Sequence, residues 1–376
     1  MTAPPSTSAP RRLLVRGVHW LGDAVMTTPA LLRLREALPQ THITLLTHEK
    51  LAGLWPGHPA VNEVIAFAPK EGVFTVARRL RHAGYDAALV LPNSIRTGLE
   101  VRLAGIPRRI GYAGSWRNWL LTEPVPWRTD AVKMHKRTAA EVRQLVVAGH
   151  GAQPRVPTTP KSSHHIFHYL PLAETLGAKA EPLAPQIAVS DAEVATVQGK
   201  FGLPRSLLIG LNAGAEYGPA KRWPADRFIA VAKELRARLD CSFVIFGGAA
   251  DNALATEIAT ALGSAPAGVV TNLAGRTSLR ELCAALRACR VVLTNDTGPM
   301  HLAAAVGAHV VGLFGSTSIE LTGPGLPGDT RHTLLRGEAP CAPCFLRECP
   351  VDFRCMKSLT AEQVLDAVAR AAALPA

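Results

Sequence analysis

The sequence predicts an α/β protein built as two tandem parallel-sheet domains, and three observations carry that expectation. Apolar strand-like runs alternate with helical patterns through both halves, the order that lays helices over a parallel sheet. The rhythm breaks between Gly149 and His165, where G-A-Q-P-R-V-P-T-T-P-K-S-S-H-H is the most linker-like composition inside the chain. Length agrees, because 376 residues with 48% hydrophobic content can bury two large cores.

In order along the chain, residues 1–12 are rich in Pro, Ser, Thr and Ala early on and read as a disordered tail. Leu13–Arg16 begins the first sheet, followed by a helix to about Leu38, strand Ile43–Thr47, strand Val64–Phe67, a helix near Val73–His82 and strand Ala87–Pro92. Segments Phe167–Leu176 and Ile187–Gly199 either complete this domain or bridge to the next. Strand Leu207–Leu211 restarts the pattern. Helix Ala225–Leu239, strand Ser242–Phe246, helix Ala253–Leu262, strand Val269–Asn272 and helix Leu279–Ala288 follow. Strand Val291–Thr294, helix Pro299–Ala305 and strand Val310–Phe314 complete the alternation. The expected domains are 13–180 and 181–358, and a last helix in 359–376 is free to cross back onto the first domain.

Forty-one Lys and Arg face 29 Asp and Glu, a formal charge of +12. Between Glu71 and His150 thirteen cations meet six carboxylates, a net of +7. Such a region attracts a phosphate-bearing partner, whether nucleic acid, anionic lipid or phosphorylated glycolipid; a solvated basic face is the plain alternative. No nucleic-acid-binding motif accompanies the charge. Arg11 and Arg12 lead straight into a strand instead of a signal-peptide core, and the apolar run Ala303–Gly315 is shorter than the ~18 residues of a spanning helix.

Two turns and one loop carry most of the chemistry. In R-G-V-H-W-L-G-D-A, Gly17 and Gly22 are spaced like a phosphate loop, but Asp23 stands where such a loop has Lys, and a carboxylate there repels phosphate. Asp23 is then either a helix cap or a proton acceptor, and Thr28-Pro29 is a second candidate helix start. In G-A-E-Y-G-P-A-K-R-W-P, strand Leu207–Leu211 empties into a small-residue turn beside Glu216, Lys221 and Arg222, a setting suited to a diphosphate. In T-N-D-T-G-P-M-H, Pro299 fits a helix's first turn, so Thr297 and Gly298 offer backbone amides to an anion. Beside them Asp296 can accept from sugar hydroxyls and His301 can donate to phosphate, unless they are a buried cap and a core histidine.

Motif by motif the chain resembles glycosyltransferase family 9, the bacterial lipopolysaccharide heptosyltransferases. The matching pieces include G-x-x-x-x-G-D (Gly17–Asp23), L-P-N-S (Leu91–Ser94), G-I-P-R-R-I-G-Y (Gly105–Tyr112), the Gly214–Pro224 string, N-L-A-G (Asn272–Gly275) and N-D-T-G-P-M-H (Asn295–His301). The Gly214–Pro224 string favours the branch that adds the second heptose. The resemblance implies a GT-B architecture, two Rossmann-like domains facing across a cleft, with acceptor on the first and ADP-heptose on the second. It implies inverting transfer of L-glycero-D-manno-heptose to the first heptose of the inner core, in the cytoplasm or at the cytoplasmic face of the inner membrane. It makes Asp23 the general base, Lys221 the phosphate-binding lysine, and Asp296, Thr297 and Gly298 the sugar-diphosphate loop. Asn212-Ala213 departs from the family by lacking a Pro before Gly-Ala-Glu.

The chemistry agrees with those roles. A carboxylate within ~3 Å can take the acceptor hydroxyl's proton as the glycosidic bond forms. Charge grows on the departing diphosphate, where Lys221 and the loop amides stand without a cofactor; no D-x-D triplet to hold a catalytic metal occurs. Asn93, Ser94, Arg108 and Arg109 are candidate acceptor contacts, and Asp251 a candidate ribose contact; turns and caps explain them equally. Cys341, Cys344, Cys349 and Cys355 form C-x2-C-x4-C-x5-C, compatible with structural zinc or an iron–sulfur cluster, whereas Cys241, Cys283 and Cys289 read as core fillers. The competing activities are another family 9 transfer, a heptosyltransferase I or III type or a different ADP-sugar, and a dinucleotide-dependent oxidoreductase, which lacks its G-x-G-x-x-G after the first strand.

Overall fold

Leu13, Leu14 and Val15 are wholly buried between parallel neighbours, and around them the computed structural model builds the first of two six-stranded sheets. Residues 9–114, 116–132, 134–149, 159–263 and 269–373 are described. Most of the tail expected over 1–12, and most of the linker after Gly149, lie outside them. Contacts divide the chain into two units, 1–131 with 165–188 and 132–164 with 189–376.

The first unit contains β1 (Arg12–Arg16), α1 (Leu21–Ala37), β2 (His42–His48), β3 (Glu63–Phe67), α2 (Val73–Arg81), β4 (Ala87–Val90), α3 (Ile95–Leu103), β5 (Arg108–Tyr112) and β6 (Glu123–Val125). The chain then contributes α4 (Ala139–Ala148) to the second unit and returns with α5 (Leu170–Glu174). The strands run parallel in the order β3-β2-β1-β4-β5-β6, and the order of winding reverses between β1 and β4. Central β4 reads as four buried apolar residues because helices cover both faces. Outer β5 and β6, which the sequence reading left out, carry Arg, Gly, Glu and Pro.

Helix α1 begins at Leu21, so Thr28-Pro29 lies inside it. Proline has no N–H for the Val25 carbonyl, and the Thr28 hydroxyl donates to that oxygen instead at 2.8 Å. The start is also tighter than the tail reading: β1 opens at Arg12, and the Pro10 carbonyl accepts from Thr41 Oγ1.

The second unit continues with α6 (Asp191–Phe201), β7 (Leu207–Asn212), α7 (Ala225–Arg238), β8 (Cys241–Ile245), α8 (Asn252–Ala261), β9 (Val270–Asn272) and α9 (Leu279–Ala288). Then follow β10 (Val291–Asn295), α10 (Gly298–Ala305), β11 (His309–Phe314), α11 (Ile319–Thr322), β12 (Thr333–Arg336), α12 (Arg354–Lys357) and α13 (Ala361–Ala373). Its parallel order, β12-β11-β10-β7-β8-β9, repeats the winding of the first sheet. Ser190 with Glu193, and Ser278 with Glu281, form capping boxes that fix the starts of α6 and α9.

Two placements differ from the sequence expectation. Val364, Leu365 and Val368 of α13 are buried in the core of the second unit, against α7 and the sheet, so the last helix stays there instead of crossing back. Val142 of α4 joins that same core, which takes residues 132–164 out of the first domain. Among the described residues no helix is long and apolar enough to cross a membrane.

Candidate functional site

In a doubly wound sheet the loops leaving adjacent strands part where the strand order reverses, and a crevice opens there. The first unit holds a cavity of about 220 Å³ at that point, between the turn after β1 (Val18, His19, Trp20) and the turn after β4 (Leu91, Pro92, Asn93). Asp23 is in its lining. It sits in the first turn of α1 behind the N-cap residue Trp20, so it is not the cap, and the helix start favours its negative charge.

The remaining wall is aromatic. Tyr112, ending β5, stacks on Trp127 with ring centroids 4.1 Å apart and planes 6° from parallel, and its hydroxyl donates to the His168 carbonyl at 2.5 Å. Burial, then the charge of Asp23, holds the Tyr169 phenol protonated far above its ordinary range. Burial lowers the pKa of the His168 imidazole and so favours its neutral form. Sequence reading missed this wall because its residues come from three separated segments; G-I-P-R-R-I-G-Y, ending at Tyr112, was its one visible trace.

The second unit repeats the arrangement at its own reversal, between β7 and β10. Lys221 Nζ donates to Asp296 Oδ2 at 2.7 Å, and Thr317 Oγ1 donates to the same oxygen at 2.6 Å. Asn212 Nδ2 reaches Thr294 Oγ1 and Thr297 Oγ1, while Asn295 accepts from the Trp223 amide and donates to the Ala213 carbonyl. These bonds pin the β7 and β10 loops together. Thr297 caps α10, whose opening turn holds Gly298 and Pro299, so the positive helix end lies beside Asp296 and Lys221. His301 is buried one turn on, and burial lowers its pKa to about 4, leaving it neutral at pH 7.

Other predicted residues fall at the margin of this cluster. Asp251 accepts from the Gly248 amide and pairs with Arg222 at 3.4 Å; its carboxyl packs so closely on Gly214 that a side chain there would overlap it. Glu216 is exposed in the same loop.

A Cys-rich segment stands behind the cluster. The Cys344 and Phe345 amides donate to the Ser316 carbonyl, Tyr217 Oη donates to the Phe345 carbonyl at 2.8 Å, and the Ala220 amide donates to the Arg347 carbonyl. Gly218, at φ +151°, is pressed against that Arg347 carbonyl, and a Cβ there would overlap it. Cys341, Cys344 and Cys355 are buried and Cys349 is half-buried, its Sγ accepting from the Phe353 amide. Among the described residues, however, no three His, Cys, Asp or Glu side chains are arranged to hold a metal ion.

The proposed acceptor contacts separate. Asn93 lines the cavity and accepts from Arg117 at 3.3 Å. Ser94 caps α3 by accepting from the Thr97 amide. Arg108 and Arg109 open β5, at the opposite end of that strand from Tyr112. Arg108 is held by Glu123, and Arg109 donates to the carbonyls of Leu120 and Ile106. Each of these last three has partners within the protein.

Comparison with known proteins places this geometry. Residues 73–353 match the pattern described as glycosyltransferase family 9 (heptosyltransferase). Lipopolysaccharide heptosyltransferase 2 of Salmonella typhimurium is 32% identical over 327 residues, which is 83% of this chain and 85% of that protein. Lipooligosaccharide heptosyltransferase 2 of Haemophilus influenzae is 30% identical, over 87% of this chain and 89% of its own. The solved structure of Escherichia coli ADP-heptose lps heptosyltransferase II aligns with a TM-score of 0.77 at 28% identity, covering 96% of this chain and 98% of that one. With two sheets of one winding and most of its length within that pattern, the chain belongs to glycosyltransferase family 9, an enzyme family of GT-B fold.

Proposed function

We propose that the protein transfers L-glycero-D-manno-heptose from ADP-heptose, with inversion, to the first heptose of a lipopolysaccharide inner core. The observation that carries this reading is the pair of sites: a carboxylate in an aromatic-walled cavity at one sheet reversal, and a lysine beside a helix start at the other. Identities of 30–32% to the heptosyltransferase 2 proteins over most of both chains support the sugar and the acceptor.

In this mechanism the acceptor sugar lies along the Tyr112–Trp127 wall, and Asp23 accepts the proton of its attacking hydroxyl. That oxygen bonds to the anomeric carbon of the heptose from the face opposite ADP, the bond to the diphosphate oxygen breaks, and ADP leaves with the electron pair. Lys221 and the amides at the start of α10 stabilise the charge arriving on the diphosphate, each such donor being typically worth ~3–4 kcal/mol in the transition state. Asp296 holds Lys221 in place and meets sugar hydroxyls, and Asp251 stands near the ribose.

No metal enters the chemistry, and the four cysteines serve the fold. The enzyme works in the cytoplasm, peripheral to the inner membrane. The test is incubation with ADP-heptose and two acceptors, Kdo-lipid A and its singly heptosylated form, read by mass spectrometry. A mass gain of one heptose on the second acceptor alone supports the assignment; transfer to bare Kdo-lipid A overturns it.

A further inference from the structure

Every exposed large hydrophobic side chain among the described residues lies between Trp20 and Val147, and none lies from residue 159 onward. Most of them belong to the first unit, and their placement there follows the sheet. Phe74 opens α2 beyond the carboxyl end of β3, Ile95 opens α3 beyond β4, and Trp116 lies in the loop leaving β5. Their exposures are 73%, 50% and 80%. Because the strands are parallel, these turns share one edge of the sheet, the edge that also holds the Asp23 cavity.

Cations interleave with them. Lys70, before Phe74, and Lys50, in the turn after β2, are both exposed, and neither forms an ion pair among the described residues; Lys50 lies 5.7 Å from the Trp20 ring centre. The carboxylates of this edge are mostly engaged: Arg79 holds Glu71 and Arg128 holds Asp130, Asp23 lines the cavity, and Glu49 stands exposed beside Lys50. Large apolar side chains set among cations suit the boundary of an anionic bilayer, where rings enter the acyl region and ammonium groups stay with the phosphates.

We propose that this edge is a membrane-docking surface that seats the first unit on an anionic lipid bilayer through Phe74, Ile95 and Trp116, with Lys50 and Lys70 meeting the headgroups. The inference deepens the proposed function, since it brings a lipid-linked acceptor to the cavity. An apolar patch alone would suit a protein partner equally well. The unpaired lysines and the shared edge with the cavity select lipid.

The experiment is sedimentation of the full chain with vesicles of phosphatidylethanolamine and phosphatidylglycerol, against vesicles of phosphatidylcholine, at low and at moderate salt. The expected result is binding to the anionic vesicles that weakens as salt rises. Phe74→Ser with Trp116→Ser should lower that binding by about tenfold or more, and Lys50→Glu with Lys70→Glu should remove most of its salt dependence. All four side chains are exposed, so an unchanged melting temperature is expected of each double variant. No binding to anionic vesicles, or binding that survives the Ser variant, overturns the proposal. Turnover on a deacylated, water-soluble core oligosaccharide separates this outcome from the functional one: the Ser variant keeps that turnover, whereas a wild-type protein inert on it undermines the proposed function and leaves the vesicle result standing.

Discussion

Lys221 Nζ lies 2.7 Å from Asp296 Oδ2, joining the turn after β7 to the turn after β10 through an ion pair that is mostly out of water. The lysine is therefore positioned before any ligand arrives, with its charge balanced until a polyanion competes for it. Lys221→Ala should lower kcat/KM for the ADP-sugar by about 10²–10³-fold, with loss in both KM and kcat, because in the proposed mechanism the cation serves donor and leaving group alike. Steady-state kinetics at varied donor concentration check this. Near wild-type values would dismiss the lysine from the site.

Asp23→Asn keeps the shape of the cavity and removes the basic oxygen. Turnover should fall to background while ADP affinity, measured by calorimetry, stays within a few-fold, since the proposed donor groups belong to the other unit. A variant that retains full activity would eliminate Asp23 as the base.

Trp127 lines the cavity and stacks on Tyr112. Trp127→Ala should raise the acceptor KM by about tenfold, an aromatic contact being worth ~1 kcal/mol or more, and leave the donor KM unchanged. Equal effects on both substrates would argue against a wall that serves the acceptor alone.

Tyr217 links the loop after β7 to the Cys-rich segment through its hydroxyl, and its ring lies 5.0 Å from Lys221 Nζ. Tyr217→Phe keeps the ring and deletes the bond to Phe345, so a donor KM several-fold higher with little change in kcat is expected. Hydrogen exchange should rise in residues 341–349. An unchanged exchange pattern would show that the bond does not hold the segment.

His58, His301 and His332 are held near pKa 4, in each case chiefly by burial, against an ordinary value of 6.5. Asp296 opposes this shift at His301 and Lys221 adds to it. The unfolded chain binds the protons first, so these groups leave stability intact above pH 6.5 and erode it as pH falls toward 4. The slope is on the order of 1.4 kcal/mol per pH unit for each histidine. Urea melts between pH 7 and 4 should show the decline, and His332→Asn should make it shallower. A midpoint independent of pH would contradict the burial of these rings.

The fold was legible wherever a strand is covered on both faces. Leu13–Val15, Phe243–Ile245 and Val291–Leu293 are apolar at successive positions because nothing else fits between two helical layers. Outer strands β5, β6 and β12 escaped because Arg108, Glu123 and Arg336 reach water or partners at the rim. Asp23, Lys221 and Asp296 were legible as charged residues in glycine-containing turns after strands. The aromatic wall was not, because Tyr112, Trp127 and His168 meet only through tertiary folding. Adjacent Arg108 and Arg109 carry no sign in the sequence of which end of a strand they occupy; here it is the amino end, away from Tyr112.

The excursion of residues 132–164 governs how the two halves could be recombined. The backbone passes between the units at 131/132, 164/165 and 188/189, so one splice near residue 180 would join halves that do not correspond to the folded bodies. A chimaera that borrows a relative's acceptor half must keep the native excursion with Val142 seated in its own core, and so needs three junctions. Built that way, an exchange of acceptor preference with donor affinity retained becomes an engineering target.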